Sequence, residues 1–358
     1  MLKFLNYLGR GDATNFSPHA DWTSLGVTRG SLWGFVLVLG LGLIGSPVLA
    51  SDDRDKDHPN DRGRRRSFCT QTANAAAKAC QAAISDDFWI AIGKCVNVSD
   101  RAKRRDCETE AIADREEAME LCQGQYVARR KVCSLVGEER YEPDFNPDNF
   151  VNPNTIHSGN ANPYFPLIGG NRWTFEGGGE RIVVTVTDKT KLIEGVTCRV
   201  VRDVVSDEDG RVIEDTNDWF AQDIWKNVWY CGEEVKDFET FPGDDPREED
   251  LVAIDGSFKV GRGGARPGII MLGNPQVGDA YRQEFFLGEA EDIARVISVT
   301  GTDVEFAAQC NNKCLITREG TPIEPGVEAD KYYAPGLGPI LEVEGDTRVK
   351  LIDFSAAP

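Results

Sequence analysis

The sequence predicts an α+β protein in which an N-terminal, disulfide-linked antiparallel helical hairpin precedes an antiparallel β-domain. Three features of the 358-residue chain support this fold class. Six cysteines between positions 69 and 133 have mirror-symmetric spacing. After position 171, short β-branched runs are separated by Gly and Pro clusters, with no long helical pattern between them. Residues 141–358 contain 40 Asp and Glu against 20 Lys and Arg, so the acidity belongs to the β-region.

The first 50 residues are typical of a secretory signal peptide. An apolar run over residues 31–50 ends in the small-residue pattern Val48-Leu49-Ala50, and a polar chain follows. The stretch before this run is long for a signal, which raises the hypothesis that translation starts near Val27. The alternative is an uncleaved membrane anchor, because the run is just long enough to span a bilayer. We therefore expect an exported protein, periplasmic or extracellular, that meets a membrane only through this segment if it is retained.

The cysteine spacing predicts a specific set of bridges in residues 67–140, which follow a disordered, charged lead over residues 51–66. The intervals between the six cysteines are 11, 15, 12, 15 and 11 residues. Steps of 11 and 15 residues both bring a helical side chain close to its starting direction, so the three cysteines of each arm form one stripe. Two helices folded back near residue 101 would bring mirror partners to the same height. The expected bridges are Cys69–Cys133, Cys80–Cys122 and Cys95–Cys107.

Metal or haem binding is the competing interpretation of these cysteines. The chain contains neither the Cys-x-x-Cys-His motif of haem attachment nor a Cys-x-x-Cys pair for zinc, and it has only three histidines. A two-helix unit buries little apolar surface, so covalent links would supply the stability that a small core lacks. The sequence therefore predicts disulfides and no cofactor.

Residues 141–163 are rich in Pro, Asn, Asp and Gly and predict a linker without regular structure. Within them Asp144, Asn146 and Asp148 occupy alternate positions, as in a calcium-binding loop. Asn149 stands where that loop requires Gly, and Thr155 stands where it requires Glu, so these three residues remain calcium candidates without an EF-hand.

The β-domain is expected over residues 164–358, with roughly ten to fourteen strands in a sandwich or a curved half-barrel sheet. Short connections favour antiparallel neighbours. Asp207 to Gly210 predicts a hairpin turn, and the acidic, proline-containing residues 241–249 predict a loop. The expected strands cover residues 181–188, 196–205, 218–222, 227–231, 281–287, 294–300, 313–317, 327–333 and 340–343.

Four cysteines of this domain, Cys198, Cys231, Cys310 and Cys314, can form two bridges in three ways. A local bridge between Cys310 and Cys314 would leave Cys198–Cys231. The spacing alone leaves all three arrangements open.

Several stretches together resemble an uncharacterised family of bacterial exported β-domain proteins with an N-terminal cysteine-rich helical module. The similarity covers about residues 140–345 and implies an extracytoplasmic β-domain, with no catalytic residues to transfer. Cys231 stands where the family has an aromatic residue, and Cys310 is additional, so the resemblance favours a bridge between these two. The matching stretches are residues 162–176, 181–188 leading to 195–198, 218–223 with 228–230, and 324–328 with 331–338.

The sequence lacks the catalytic motifs of several common enzyme classes. No His follows His157, so a Ser-His-Asp triad has no base within the β-domain. Lipase-type, zinc-protease, Walker and dinucleotide-binding motifs are also missing from the sequence. The strong negative charge disfavours nucleic acids as partners.

A pair of carboxylates, as in glycoside hydrolysis, is the one enzymatic option. Acidic residues lie beside aromatic residues that look exposed and could stack on a sugar, although such aromatics are more often part of a sheet core. These low-specificity ligand candidates are Asp215, Asp218, Trp219, Trp229, Tyr230 and Glu233, with Glu234 adjacent.

Two functional expectations follow. The favoured one is a non-enzymatic extracytoplasmic binding or structural module, in which the hairpin is a rigid spacer or docking arm. Its β-domain would hold an envelope or extracellular partner, or an apolar ligand, in its curved sheet. The alternative is a carbohydrate-active hydrolase that uses paired carboxylates on a sugar ligand.

Overall fold

The structure, a computed structural model, describes residues 67–357. The predicted signal peptide and the charged lead over residues 51–66 lie outside the described residues. Within them, two helices precede a large antiparallel β-sheet, and the predicted α+β fold class is confirmed.

The N-terminal module is a hairpin of helix α1 (Phe68–Val96) and helix α2 (Arg101–Val136). The chain reverses over residues 97–100, as the mirror spacing predicts. Asp100 is the N-cap of α2, and its Oδ1 accepts hydrogen bonds from the backbone N–H groups of Ala102 and Lys103, both at 2.9 Å. The three disulfides of the hairpin join Cys69 to Cys133, Cys80 to Cys122, and Cys95 to Cys107, in the predicted mirror order.

The β-domain contains 15 strands in one hydrogen-bonded sheet, slightly more than the ten to fourteen expected, because the sheet includes strands of only two to four residues. The strands are β1 (Arg172–Gly177), β2 (Glu180–Ile193), β3 (Val196–Ser206), β4 (Val212–Gln222), β5 (Val228–Glu234), β6 (Asp237–Glu239), β7 (Asp250–Ala253), β8 (Phe258–Lys259), β9 (Gly268–Met271), β10 (Ala280–Arg282), β11 (Ile293–Gly301), β12 (Cys314–Gly320), β13 (Glu328–Ala334), β14 (Gly338–Glu344) and β15 (Thr347–Ser355). From one end of the main path to the other, the strand order is β10, β11, β12, β13, β14, β15, β1, β2, β3, β4, β5 and β8. A short helix α3 (Ala307–Cys310) precedes β12.

The sheet is strongly curved, so that its two ends approach each other. Strand β9 pairs with β5, and the segment before β9 meets the segment after β10, where the N–H of Arg266 donates to Phe285 O at 2.8 Å. Gly268 is required at this approach, because a Cβ there would lie 2.0 Å from Gln283 O. The half-closed sheet predicted from the sequence is the alternative that the structure adopts.

The main core fills the inner face of this sheet, with Trp173, Phe220, Tyr230 and Leu315 among its buried members. A second cluster on the opposite face of β3 to β5 is covered by Phe145 and Phe150 of the linker. The linker itself, residues 141–163, contains only two 3-10 turns, in agreement with its composition.

Two sequence-based expectations about the β-domain need correction. Residues 283–287, expected to continue a strand, bend out of β10, because Gln283 and Glu284 both direct their N–H groups to Asp292 O. Phe285 and Phe286 then form only isolated bridges, with Arg266 and Ala290. The resemblance favoured a Cys231–Cys310 bridge, but the structure has Cys198–Cys231 and Cys310–Cys314. The predicted turn at residues 207–210 and the predicted loop at residues 241–249 are confirmed.

All ten cysteines are paired, and five disulfides are typical of a protein that folds in an oxidising, extracytoplasmic environment. None of the helices within residues 67–357 combines the length and the apolar character needed to cross a membrane.

Candidate functional site

An open cleft lies where the base of the hairpin meets the sheet. This junction cleft has a volume of about 860 Å³. Its walls come from the start of α1, from the end of α2 and the residues after it, and from Trp229 of β5. The segment before β9, Ile269 of β9, strand β10 and residues 285–287 complete them. Apolar and aromatic side chains dominate the walls, including Phe68, Tyr141, Phe285 and Phe286.

The hairpin wall of the junction cleft is closed by the residues that follow α2. Gly137 ends this helix with a positive φ of 94°, a conformation that favours glycine. The next residue, Glu138, reaches back to the start of α1, where its carboxylate accepts from Thr70 N at 2.9 Å and from Thr70 Oγ1 at 2.6 Å. These hydrogen bonds from Thr70 lower the pKa of Glu138. Both helix ends are therefore held together beside the cleft.

Tyr141 continues this wall and reaches across to the sheet. Its hydroxyl donates to Pro267 O at 2.8 Å, and its ring lies edge-on to Phe285 with the ring centroids 5.3 Å apart. Burial raises the pKa of Tyr141 to about 12. Tyr141 is therefore a neutral hydrogen-bond donor at neutral pH.

A buried ion pair fastens α2 to the β-domain below the cleft. Nε and Nη2 of Arg129 bind Glu291, at 3.0 Å and 2.6 Å from its Oε1. The backbone N–H of Gly288 donates to the same carboxylate at 2.9 Å. On the same helix, Gln125 Nε2 donates to Ile323 O at 2.9 Å. The base of the hairpin is therefore in direct contact with the β-domain. A simple spacer would need no such contact.

Arg282, at the end of β10, forms part of the cleft floor. Only 8% of its surface is exposed, and its Nε has no hydrogen-bond partner. The guanidinium carbon lies 4.7 Å from the centre of the Phe285 ring and 5.5 Å from that of Tyr141. Burial lowers the pKa of Arg282, and the nearby Glu291 carboxylate acts in the opposite direction. The side chain is therefore a desolvated cation between two aromatic rings.

A second, shallower depression of about 500 Å³ adjoins the junction cleft. The two share Gly263 and Phe286. Apolar and charged residues both line the depression, including the predicted ligand candidates Trp219, Glu233 and Glu234. By contrast, the space near Trp173 inside the curved sheet measures only about 10 Å³. The apolar ligand expected inside the sheet has no room at that position.

The structure brings several of the predicted sugar-binding candidates together. Asp218, Tyr230 and Glu233 meet in the β4–β5 pairing, and Trp219, Glu233 and Glu234 line the second depression. Asp215 is ion-paired with Arg202, whose Nε lies 2.8 Å from its Oδ1. Asp218 and Glu233 are buried and face each other in the β4–β5 pairing. Tyr230, fully buried, donates its hydroxyl to Asp218 at 2.5 Å. Burial and these neighbouring carboxylates raise the pKa of Tyr230 well above its ordinary value.

The two tryptophans of this set are buried, in agreement with the more common role of such aromatics in a sheet core. Trp219 is 4% exposed and carries Lys191 Nζ 3.5 Å above its ring centre. Trp229 donates its Nε1–H to Asp223 at 2.9 Å and contributes one edge to the junction cleft. Trp229 is therefore the predicted candidate that the structure places at the cleft.

The calcium candidates belong to a 3-10 turn of the linker. Asn146 caps the turn by accepting from Asp148 N at 3.1 Å, and Asp144 accepts from Asn149 Nδ2 at 3.4 Å. Across the part of the chain that the structure describes, no three His, Cys, Asp or Glu side chains are grouped so that they could hold a metal ion.

Sequence reasoning missed Arg129, Tyr141, Arg282 and Glu291, the polar residues that build the junction. Arg129 lies on the face of α2 that bears the cysteine stripe, four residues before Cys133, and a charge on that face is the one signal that could have identified it. Nothing in the spacing of the other three indicates that they meet.

No protein-family model, no curated protein and no solved structure matches this chain. The functional conclusion therefore depends on the geometry of the site.

Proposed function

We propose that this chain is a non-enzymatic binding module of the periplasm or the extracellular space, and that its ligand occupies the junction cleft. The observation that carries this proposal is the cleft itself, an open space of about 860 Å³ with aromatic walls. Small-molecule sites are typically concave and mostly apolar, with a few convergent polar groups, and have volumes of about 300–1,000 Å³.

Preorganisation of the walls supports the proposal. The Cys69–Cys133 disulfide lies at the hairpin wall, and the Arg129–Glu291 pair joins this wall to the sheet. A cleft whose walls are held in this way loses little conformational entropy when a ligand binds. The role of the hairpin would then be to form half of a binding site, in addition to any contact that its far end makes with an envelope partner.

Blocking the cleft tests the proposal. Ala75 is exposed on α1 and lines the cleft, so Ala75→Trp should fill its mouth. Ala79→Trp is the matched control, one helical turn further along and outside the lining residues. We expect the uncharged fluorescent probe Nile red to bind the oxidised protein, and A75W to weaken this binding at least about tenfold while A79W does not.

Absence of Nile red binding to the unmodified protein would contradict the proposal. Equal affinity of the two tryptophan variants would also contradict it, because the probe would then occupy another surface. Circular dichroism of both variants at 222 nm checks that the helices are retained.

A further inference from the structure

The buried charges at and below the floor of the junction cleft are more positive than negative. Arg282 lines the cleft and the Arg129–Glu291 pair lies below it, so two buried guanidinium groups share the carboxylate of Glu291. That carboxylate is already bound by Arg129 through two nitrogens and by Gly288 N. Arg129 Nη1 and Arg282 Nε are both buried without a hydrogen-bond partner. One positive charge at the floor is therefore left without a counter-charge of its own.

The rim of the cleft does not supply the missing negative charge. Glu139 and Glu142 line it together with Arg140 and Arg266, so the rim charges cancel in number. Arg140 lies over the Phe68 ring, with its guanidinium carbon 3.9 Å from the ring centre. The surplus at the floor is notable because the whole chain has a formal net charge of −19.

An isolated charge is costly to bury, and so is a buried hydrogen-bond donor without a partner. In Arg282 the desolvated cation borders an open cleft, so a ligand can reach it. A ligand with one negative charge would balance the one surplus guanidinium. Arginine forms short, charge-assisted hydrogen bonds with carboxylates, often through two nitrogens.

We propose that the ligand is an amphipathic monocarboxylate with a long alkyl chain, whose carboxylate binds Arg282 and whose chain packs on the aromatic walls. This inference rests on the proposed function, because it requires the junction cleft to be the binding site. It adds the chemical class of the ligand and the residue that selects it. The walls suit an alkyl chain, since Val136, Ile269 and Leu287 lie among the aromatic rings.

Three probes with the same alkyl chain test the head group: decanoate, decanol and decyltrimethylammonium, each used below its micelle concentration. We expect decanoate to bind the unmodified protein about 10- to 100-fold more tightly than decanol, since hydrogen bonds to charged groups contribute about 1.5–3 kcal/mol. The cationic probe should bind most weakly. Isothermal titration calorimetry measures all three affinities.

Two variants assign the preference to Arg282. Arg282→Met keeps the length of the side chain but removes its charge, and it should reduce the affinity for decanoate to that for decanol. Arg282→Lys keeps the charge and should retain part of the preference. Arg295→Met is the matched control, because Arg295 is an exposed arginine on the neighbouring strand β11 and does not line the cleft.

The outcomes separate this inference from the proposed function. If decanoate and decanol bind equally well, and A75W blocks both, the cleft is an apolar site and the carboxylate inference is wrong. If none of the three probes binds and Nile red also fails to bind, the proposed function is wrong as well. The head-group comparison uses the unmodified protein, so it remains decisive even if R282M does not fold.

Discussion

The hairpin and the β-domain are stabilised by different means within one chain. The buried apolar residues of the hairpin are few, and apart from the cysteines they are three alanines with Ile84 and Val132; three disulfides connect its helices. The β-domain buries large side chains such as Trp173, Phe220 and Leu315 in a continuous core. Two long helices without a third element bury little surface, so covalent links take the place of a core.

The junction between the two regions follows neither pattern. It depends on a buried ion pair, a few hydrogen bonds and aromatic contacts, and it leaves the cleft open. The proposed binding site therefore lies between the two regions, beside the polar contacts that join them.

Reduction of the disulfides should unfold the hairpin while the β-domain remains folded. Each long-range disulfide contributes about 3 kcal/mol, mainly by restricting the unfolded chain, and the hairpin has almost no core to replace three of them. We expect dithiothreitol to abolish most of the helical signal at 222 nm. The fluorescence of the buried Trp173 and Trp219 should remain that of a folded protein.

The matched control is Cys310→Ala with Cys314→Ala, which removes a bridge between residues only four positions apart. Because the entropic contribution of a disulfide grows with the length of the loop it closes, this variant should lose much less stability. A helical signal that survives full reduction would show that packing alone holds the hairpin.

Glu291→Gln should destabilise the docking of the hairpin. Removing one partner of a buried ion pair costs about 3–5 kcal/mol, because the other charge remains buried, and here two guanidinium groups would lose their carboxylate. Asp330→Asn is the control, since the Arg318–Asp330 pair is largely exposed and should contribute less than about 1 kcal/mol. Urea unfolding curves measure both changes, and similar losses in the two variants would contradict the assigned role of Glu291.

The free energy of unfolding should depend on pH, because the sheet buries a carboxyl group, that of Glu342, whose pKa is raised. Burial raises the pKa of Glu342 to about 7, against the opposing influence of Lys331 Nζ, 3.6 Å away. A raised carboxyl pKa means that the folded state keeps a proton that the unfolded state has lost. The free energy of unfolding should therefore fall as the pH rises from about 4.5 to about 7, by at most about 1.4 kcal/mol per pH unit.

Glu342→Gln should reduce this slope. Glu180 is the second group to compare, because burial and the neighbouring Glu214 raise its pKa to about 7 as well. Glu180→Gln should therefore remove a separate part of the slope. Unfolding curves at several pH values measure it, and an unchanged slope in E342Q would rule out titration of Glu342 in this window.

Asp100→Ala should have the smallest effect of the four. It removes the N-cap of α2 at the hairpin reversal, where the hydrogen bonds from Lys103 N and Ala102 N also lower the pKa of Asp100. Asp100→Asn keeps a capping oxygen and should lie close to the unmodified protein. Thermal unfolding followed at 222 nm compares the two, and a loss as large as that of E291Q would show that the cap, rather than the disulfides, maintains the reversal.

The sequence by itself determined the hairpin almost completely. Helical geometry repeats along the chain, so cysteine spacing alone predicts which side chains face each other, and the structure has Cys69–Cys133, Cys80–Cys122 and Cys95–Cys107. Strand runs and the turn at residues 207–210 are also local properties, which explains why most of them are visible in composition and alternation.

The tertiary structure alone decided which residues meet across the sheet. The β4–β5 pairing is irregular next to Cys231, and Cys231 lies beside Cys198 of β3. The spacing of the cysteines in the sequence does not predict this contact. The bend at residues 283–287 brings Gly288 N to Glu291, and so places this carboxylate under Arg129. Contacts of this kind depend on the curvature of the whole sheet, because residues 162 positions apart in the sequence become neighbours only after it has closed.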